Sequence, residues 1–191
     1  MSDERPAGDL RERKRQKTRE RIVAAAYALF EQRGYAGVTV DDIAEAAEIG
    51  RATFFRYFGD KQEVVFAAER ALREDLASAM DSREPAPVTL AACVGLLREI
   101  VLPLWRRTET SPHYALHTKL VRENAELGDR QLRKLLSFAD DVTELLVRRG
   151  VEPDLARLAT QLVASCYLAA ADAKVDSVEA NLSTLLRNLK S

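Results

Sequence analysis

The sequence predicts an all-α protein: an N-terminal group of three helices followed by a C-terminal bundle of about six. Three observations carry this. Leu, Ala, Arg and Glu recur along the 191 residues, while Gly (8) and Pro (6) are scarce, a composition that favours helix. Apolar residues return at helical rather than strand spacing. No strand pattern, repeat or low-complexity tract interrupts the chain. With 47% hydrophobic and 31% charged residues, the chain can bury one or two cores behind an ordinary soluble surface.

Each element can be read in turn. Met1 to Leu10 carries Ser, Asp, Glu, Pro and Gly and reads as disordered. A first helix runs from about Lys17 to Arg33, with Ile22, Val23, Ala26, Leu29 and Phe30 on one stripe. Gly34 is placed to end it in a left-handed conformation. Thr39 caps a short second helix, and Asp42 completes a capping box. In the turn Glu48-Ile49-Gly50, Ile49 is the apolar plug and Gly50 the residue expected to allow close packing. A third short helix, from Arg51 to about Phe58, carries Phe54 and Phe58 on one face. Asp60 caps a long fourth helix from about Lys61 to Met80. Ser82 to Pro87 is a break. A fifth helix spans about Val88 to Arg107, with Pro103 expected to kink it. Ser111-Pro112 opens a sixth helix, to about Asn124. A seventh runs from about Leu127 to Arg149, an eighth from Pro153 to about Ala173 and a ninth from about Ser177 to Lys190.

Charge is unevenly spread. Net charge is −1, yet Arg11, Arg13, Lys14, Arg15, Lys17, Arg19 and Arg21 are opposed only by Glu12 and Glu20 between residues 11 and 21. The chain beyond Lys61 is slightly acidic. A basic end on such a body is the asymmetry expected when one end meets phosphate. Cys93 and Cys166 lie far apart with no motif around them, as expected of buried thiols in a reducing compartment. No apolar run reaches membrane-spanning length and the first residues are not signal-like. A soluble, cytoplasmic protein is expected.

The stretch Thr39 to Lys61 is the informative one. Two short helices joined by a tight turn, the second rich in aromatics, form a helix-turn-helix. The run Thr39-Val40-Asp41-Asp42-Ile43-Ala44-Glu45-Ala46-Ala47, then Ile49, then Thr53-Phe54-Phe55-Arg56-Tyr57-Phe58-Gly59-Asp60-Lys61 resembles the signature of TetR-type transcriptional regulators. Ile22 to Ala26, Leu29-Phe30 and Gly34-Tyr35 fit that family's first helix. The resemblance covers about Arg19 to Phe66. It implies a basic arm and helix-turn-helix DNA-binding domain at 1–61, and a helical ligand-binding and dimerisation domain at 62–191. It also implies a homodimer on near-palindromic, double-stranded operator DNA, often a repressor released by a small molecule.

Carried over position by position, Arg51, Ala52, Thr53 and Phe55 would face bases, and Thr39, Tyr57 and Lys61 would hold phosphates, with Arg56 beside them. Arg56 and Lys61 read equally well as solvated charges. Gly50, Ala52 and Phe55 depart from the family's usual serine, glycine and tyrosine. Arg51 is the best base-reading candidate, because arginine can bond guanine O6 and N7 together. The basic run before the first helix could also reach a minor groove or flanking phosphates, as extended arms do.

In the larger domain, the eighth helix (Leu155, Leu158, Leu162, Cys166) and the ninth (Val178, Leu182, Leu185, Leu186, Leu189) read as a dimer surface forming a four-helix bundle. Phe66, Trp105, His113, Tyr114, His117, Phe138 and Tyr167 are candidate walls for an apolar or amphipathic effector, although each taken alone reads better as core. His113 and His117, four apart, share a face but lack the further ligand a zinc site needs, so no metal is assigned. No cofactor motif is present. Neither a phosphate loop nor a nucleophile elbow occurs, so an enzyme is not expected. A regulator of the same fold without a small-molecule effector, controlled by a partner protein or acting as an activator, remains the second reading.

Overall fold

The computed structural model describes residues 7–81, 89–170 and 174–189. Among them the chain forms ten helices and no strand: α1 (Ala7–Arg33), α2 (Val40–Ala46), α3 (Arg51–Tyr57), α4 (Lys61–Val65), α5 (Glu69–Asp81), α6 (Leu90–Glu109), α7 (Tyr114–Glu123), α8 (Ala125–Arg148), α9 (Pro153–Leu168) and α10 (Val175–Leu189). The break expected at 82–87 and the character expected of residues 1–6 lie outside the described residues. The helices gather into two compact units. The first runs from α1 to Ala67 and takes in Leu116–Asn124; the second comprises Ala68–Ala115 and Ala125 onward.

Four expectations need correction. Helix α1 begins at Ala7 rather than near Lys17, so the basic run is continuous helix and not an extended arm. Residues 10–17 are Leu, Arg, Glu, Lys and Gln alone, all good helix formers, and this local preference prevails although no core receives the segment. The long fourth helix is in fact two, α4 and α5, separated by a turn at 66–68, which raises the expected nine helices to ten. Helix α7 starts at Tyr114, with Ser111 and Pro112 in the turn before it. The last concerns Gly50. It has φ −74° and an added Cβ would meet nothing within 4 Å, so the turn does not require glycine there.

The turn's unusual backbone falls instead on Glu48, at φ 52°. Gly50 is the N-cap of α3 and supplies no side-chain acceptor. Gly50→Ser should therefore raise stability by about 1 kcal/mol, by capping α3 and stiffening the unfolded chain. Urea denaturation of the two forms checks this; an unchanged or lowered midpoint would refute it.

The first unit is built around Ile22, Ala26, Phe30, Val38, Ile43, Phe54 and Val64, all essentially inaccessible. Gly34 does end α1 in the left-handed region, at φ 70°. Gly37 presses against the chain: a Cβ there would stand 2.6 Å from the Arg33 carbonyl oxygen. The capping box forms as the spacing predicts. Thr39 Oγ1 accepts the Asp42 N–H at 3.1 Å, and Asp42 Oδ2 accepts the Thr39 N–H at 2.7 Å. That pairing, with Arg33 nearby, holds the Asp42 carboxyl below its ordinary range. Asp60 caps α4 through the Glu63 N–H at 2.8 Å.

The second unit packs α5, α6, α8, α9 and α10 around Leu76, Met80, Leu97, Leu146, Ala159 and Leu182. Alanines at 156 and 159, both fully buried, let helices approach closely. Pro103 lies inside α6. Cys93 is buried and both cysteines are free thiols. Half-buried ion pairs tie the layers. Glu69 of α5 accepts from Lys134 of α8 at 2.6 Å, and Glu179 of α10 accepts from Arg98 of α6 at 2.7 Å. No described helix is long and apolar enough to cross a membrane.

Candidate nucleic-acid interface

The helix-turn-helix is assembled by short-range chemistry. The Ile49 N–H reaches back to the Ala44 carbonyl at 2.9 Å and closes the turn. Phe54 and Phe58, both buried, stack at 5.9 Å between ring centroids and anchor α3. With those two facing in, helical geometry turns Arg51, Ala52, Phe55 and Arg56 outward, and all four are exposed. Phe55 is 44% exposed, a large apolar ring that nothing within the unit covers completely. Thr53 and Tyr57 are half-buried at the edge of this surface. Arg56 lies over the Tyr57 ring at 5.7 Å.

Arg51 is held by its neighbours. Its Nη1 donates to Asp41 Oδ2 of α2 at 2.5 Å, and its guanidinium lies 5.6 Å from the Phe55 ring centroid. The carboxylate partner sits ten residues away in sequence, and no local signal marks it. Thr39 uses its hydroxyl in the capping box, donating to Asp42 Oδ2 at 2.5 Å. Lys61 is turned inward. Its Nζ donates to the carbonyls of Tyr35 and Val38, both at 2.8 Å, and lies 4.0 Å from the Tyr35 ring centroid. It clasps the loop between α1 and α2.

Two arginines of the basic run act in a comparable way. Arg19 donates to the carbonyls of Tyr57 at 3.3 Å and Ala67 at 3.2 Å, and covers the Phe58 ring at 4.3 Å. Arg21 donates to the Ala47 carbonyl at the end of α2 and pairs with Glu48. Helix C-termini leave carbonyls without amide partners, and here cations fill that need. In the sequence these arginines are simply part of a charge run, and nothing local marks them as caps.

The candidate effector residues form separate groups. Phe66 and His117 belong to the first unit, where their rings meet edge-on at 5.6 Å. Tyr27 OH and His117 Nδ1 both donate to the Val65 carbonyl, at 3.0 and 3.1 Å. This arrangement, with Arg19 on Ala67, explains the break after α4. Side chains take up carbonyls that a continuing helix would have given to its own amides. Burial pushes the Tyr27 hydroxyl well above its ordinary pKa. In the second unit Trp105 and Tyr167 stack at 4.3 Å. Gln131 Nε2 donates to Tyr167 OH at 2.6 Å, while Gln131 Oε1 is buried without a hydrogen-bond partner. Burial, and the nearby Tyr114, raise the Tyr167 pKa. Phe138 lies beneath Arg73 at 5.4 Å, and His113 stands just before α7. No group of three His, Cys, Asp or Glu able to hold a metal occurs among the described residues.

Burial pushes the His117 pKa below its ordinary value, against an opposing pull from the Val65 carbonyl. The sign follows directly. An unfolded histidine takes its proton near pH 6.5, whereas the folded one resists. Stability is therefore complete above about pH 6.5 and falls as pH drops toward the lower folded value. Opening free energies of α1 and α4 amides, from hydrogen exchange between pH 5 and 7.5, should show this decline. His117→Gln should flatten it; an equally steep decline in the variant would remove His117 as its source.

Comparison with known proteins places this geometry. Residues 22–68 match the family model described as bacterial regulatory proteins, tetR family. The chain is 37% identical over 92 residues to the HTH-type transcriptional regulator TcmR of Streptomyces glaucescens, covering 48% of this chain and 41% of that protein. It is 39% identical over 141 residues to MftR of Mycobacterium tuberculosis, named as a mycofactocin biosynthesis transcriptional regulator, covering 72% of this chain and 68% of that one. The fold is shared with SmeT of Stenotrophomonas maltophilia in its complex with triclosan, at TM-score 0.57 and 18% identity, over 88% of this chain and 91% of that chain. The chain belongs to the TetR family of transcriptional regulators.

Proposed function

We propose that the protein binds a near-palindromic operator as a homodimer and leaves it when a small molecule binds. One observation supports DNA reading above all. Buried Phe54 and Phe58 fix α3 so that Arg51, Ala52, Phe55 and Arg56 project from it. Arg51 suits a guanine edge, and Ala52 and Phe55 suit thymine methyl groups. Thr39, Thr53 and Tyr57 border this face and serve as polar neighbours for backbone phosphates. Lys61 contributes by fixing the loop at 35–38, so its loss weakens every sequence alike.

The dimer is assigned to α9 and α10. Leu158 and Leu168 are 50% and 55% exposed, and with Leu162, Ser165 and Ala169 they form an apolar, small-residue face along α9. Pairing α9 and α10 with the same helices of a partner makes a four-helix bundle, and reading successive major grooves then requires two α3 helices about 34–36 Å apart.

The effector site is assigned to the second unit beside Trp105, Tyr167 and Gln131. Its neutral aromatic pair and the unfilled acceptor on Gln131 suit an apolar or amphipathic molecule carrying one hydrogen-bond donor. SmeT, which shares this fold, has been seen with triclosan, which supports a ligand-responsive reading. A full switch from 1:99 to 99:1 requires about 5.5 kcal/mol of differential binding.

Selection of duplexes from a random pool tests the reading. A palindromic consensus bound at two protomers per duplex is the expected result. Hydrophobic compounds should then quench Trp105, the chain's single tryptophan, and lower operator affinity together. Failure to enrich any sequence would refute operator binding; quenching without release would refute effector control.

A further inference from the structure

We infer that residues 10–17 of α1 form a second DNA-binding surface, which grips phosphates of the duplex flanking the base pairs read by α3. This rests on the operator-binding reading. The segment has no packing reason to exist as helix. Every residue from Leu10 to Lys17 is exposed, and from Leu10 onward the first buried residue is Ile22.

Its charges are ordered. Arg11, Arg15 and Arg19 succeed one another at four-residue intervals, and so do Arg13, Lys17 and Arg21. These are two rows of like charge, with Lys14 beside the second. Glu12, Gln16 and Glu20 form a third row between them, where Gln16 bonds Glu20 at 2.9 Å and Glu12 reaches Arg15 at 3.9 Å, leaving Lys14 on the side free of carboxylates. Like charges four apart destabilise a helix, and these turns of α1 have no packing to offset that. A polyanion laid along the two rows reverses that sign.

Each row is rooted in the helix-turn-helix. Arg19 is bonded to the last carbonyl of α3 and to the Ala67 carbonyl after α4, and Arg21 to the end of α2. Ten residues separate Arg21 from Arg11, a reach of about 15 Å along the helix. The cations at 11–17 thus stand one to three turns beyond the turn that presents α3. That reach suits flanking phosphates rather than the bases themselves. A helix with exposed Leu10 as its one large apolar side chain before residue 18 has little to insert into a lipid surface.

The test uses the full chain and two duplexes enriched by the wild type: one trimmed to the palindrome, one keeping ten base pairs on either side. In the variant, Arg11, Arg13, Lys14, Arg15 and Lys17 are all replaced by Gln, which keeps helix propensity. On the long duplex the slope of log affinity against log salt should be shallower by about 0.9 for each phosphate that the variant no longer neutralises, so by about 2 or more for a dimer. On the trimmed duplex the two proteins should agree. A charge-preserving variant with Lys at 11, 13 and 15 should keep the wild-type slope, which separates charge from misfolding. Equal slopes on the long duplex, with sequence selection intact, would overturn the inference alone. Loss of all sequence selection in the wild type would overturn the operator reading with it. Variant-sensitive binding to phosphatidylglycerol vesicles with unchanged DNA slopes would overturn it in favour of a membrane.

Discussion

Phe54→Ala should destabilise the first unit by about 3–5 kcal/mol and abolish operator binding. Phe54 is fully buried and touches both aromatic neighbours of its helix, Phe55 at 5.6 Å and Phe58 at 5.9 Å. Truncation removes the transfer energy of a phenyl ring and leaves a cavity that α3, seven residues long, is too short to close. Such a helix has no independent stability, so its packing is its fold. Hydrogen exchange should show amides of α1 to α4 losing protection while those of α6 and α9 keep theirs. Uniform loss across both units would mean that the chain unfolds as one body. Retained operator affinity would mean that α3 is not the reading element.

Arg51→Ala should reduce discrimination at one operator position by about 1–3 kcal/mol, roughly five- to 150-fold, with little change on random duplex. The Asp41 carboxylate at 2.5 Å makes the converse substitution informative. Asp41→Asn removes a negative charge beside the proposed reading face and releases the guanidinium, so affinity for random duplex should rise while discrimination falls. Competition binding against single-base operator variants measures both. Equal losses on operator and random DNA for Arg51→Ala would take it out of base readout.

Much of this is legible in the residues. Caps at Thr39 and Asp60, the stop at Gly34 and the aromatic anchors at 54 and 58 are local signals, and local physics decides them. Sequence stripes do not say which neighbour they face, so those of α9 and α10 read alike as a dimer seam or as core. Long-range side-chain to backbone bonds are not legible. No pattern announces that Arg19 closes the ends of α3 and α4, that Lys61 holds 35–38, or that His117 and Tyr27 meet at Val65. The bonds from Arg19, Tyr27 and His117 interrupt what periodicity alone reads as one helix from 61 to 80. Gly37 escapes a sequence reading for a related reason: its need arises from the Arg33 carbonyl, not from a turn motif.

Arg19, Arg21 and Lys61 each fasten backbone oxygens from distant parts of the first unit. A head bolted from three sides has one shape. Under the ligand control proposed above, strain delivered to this head would move it whole rather than reshape it.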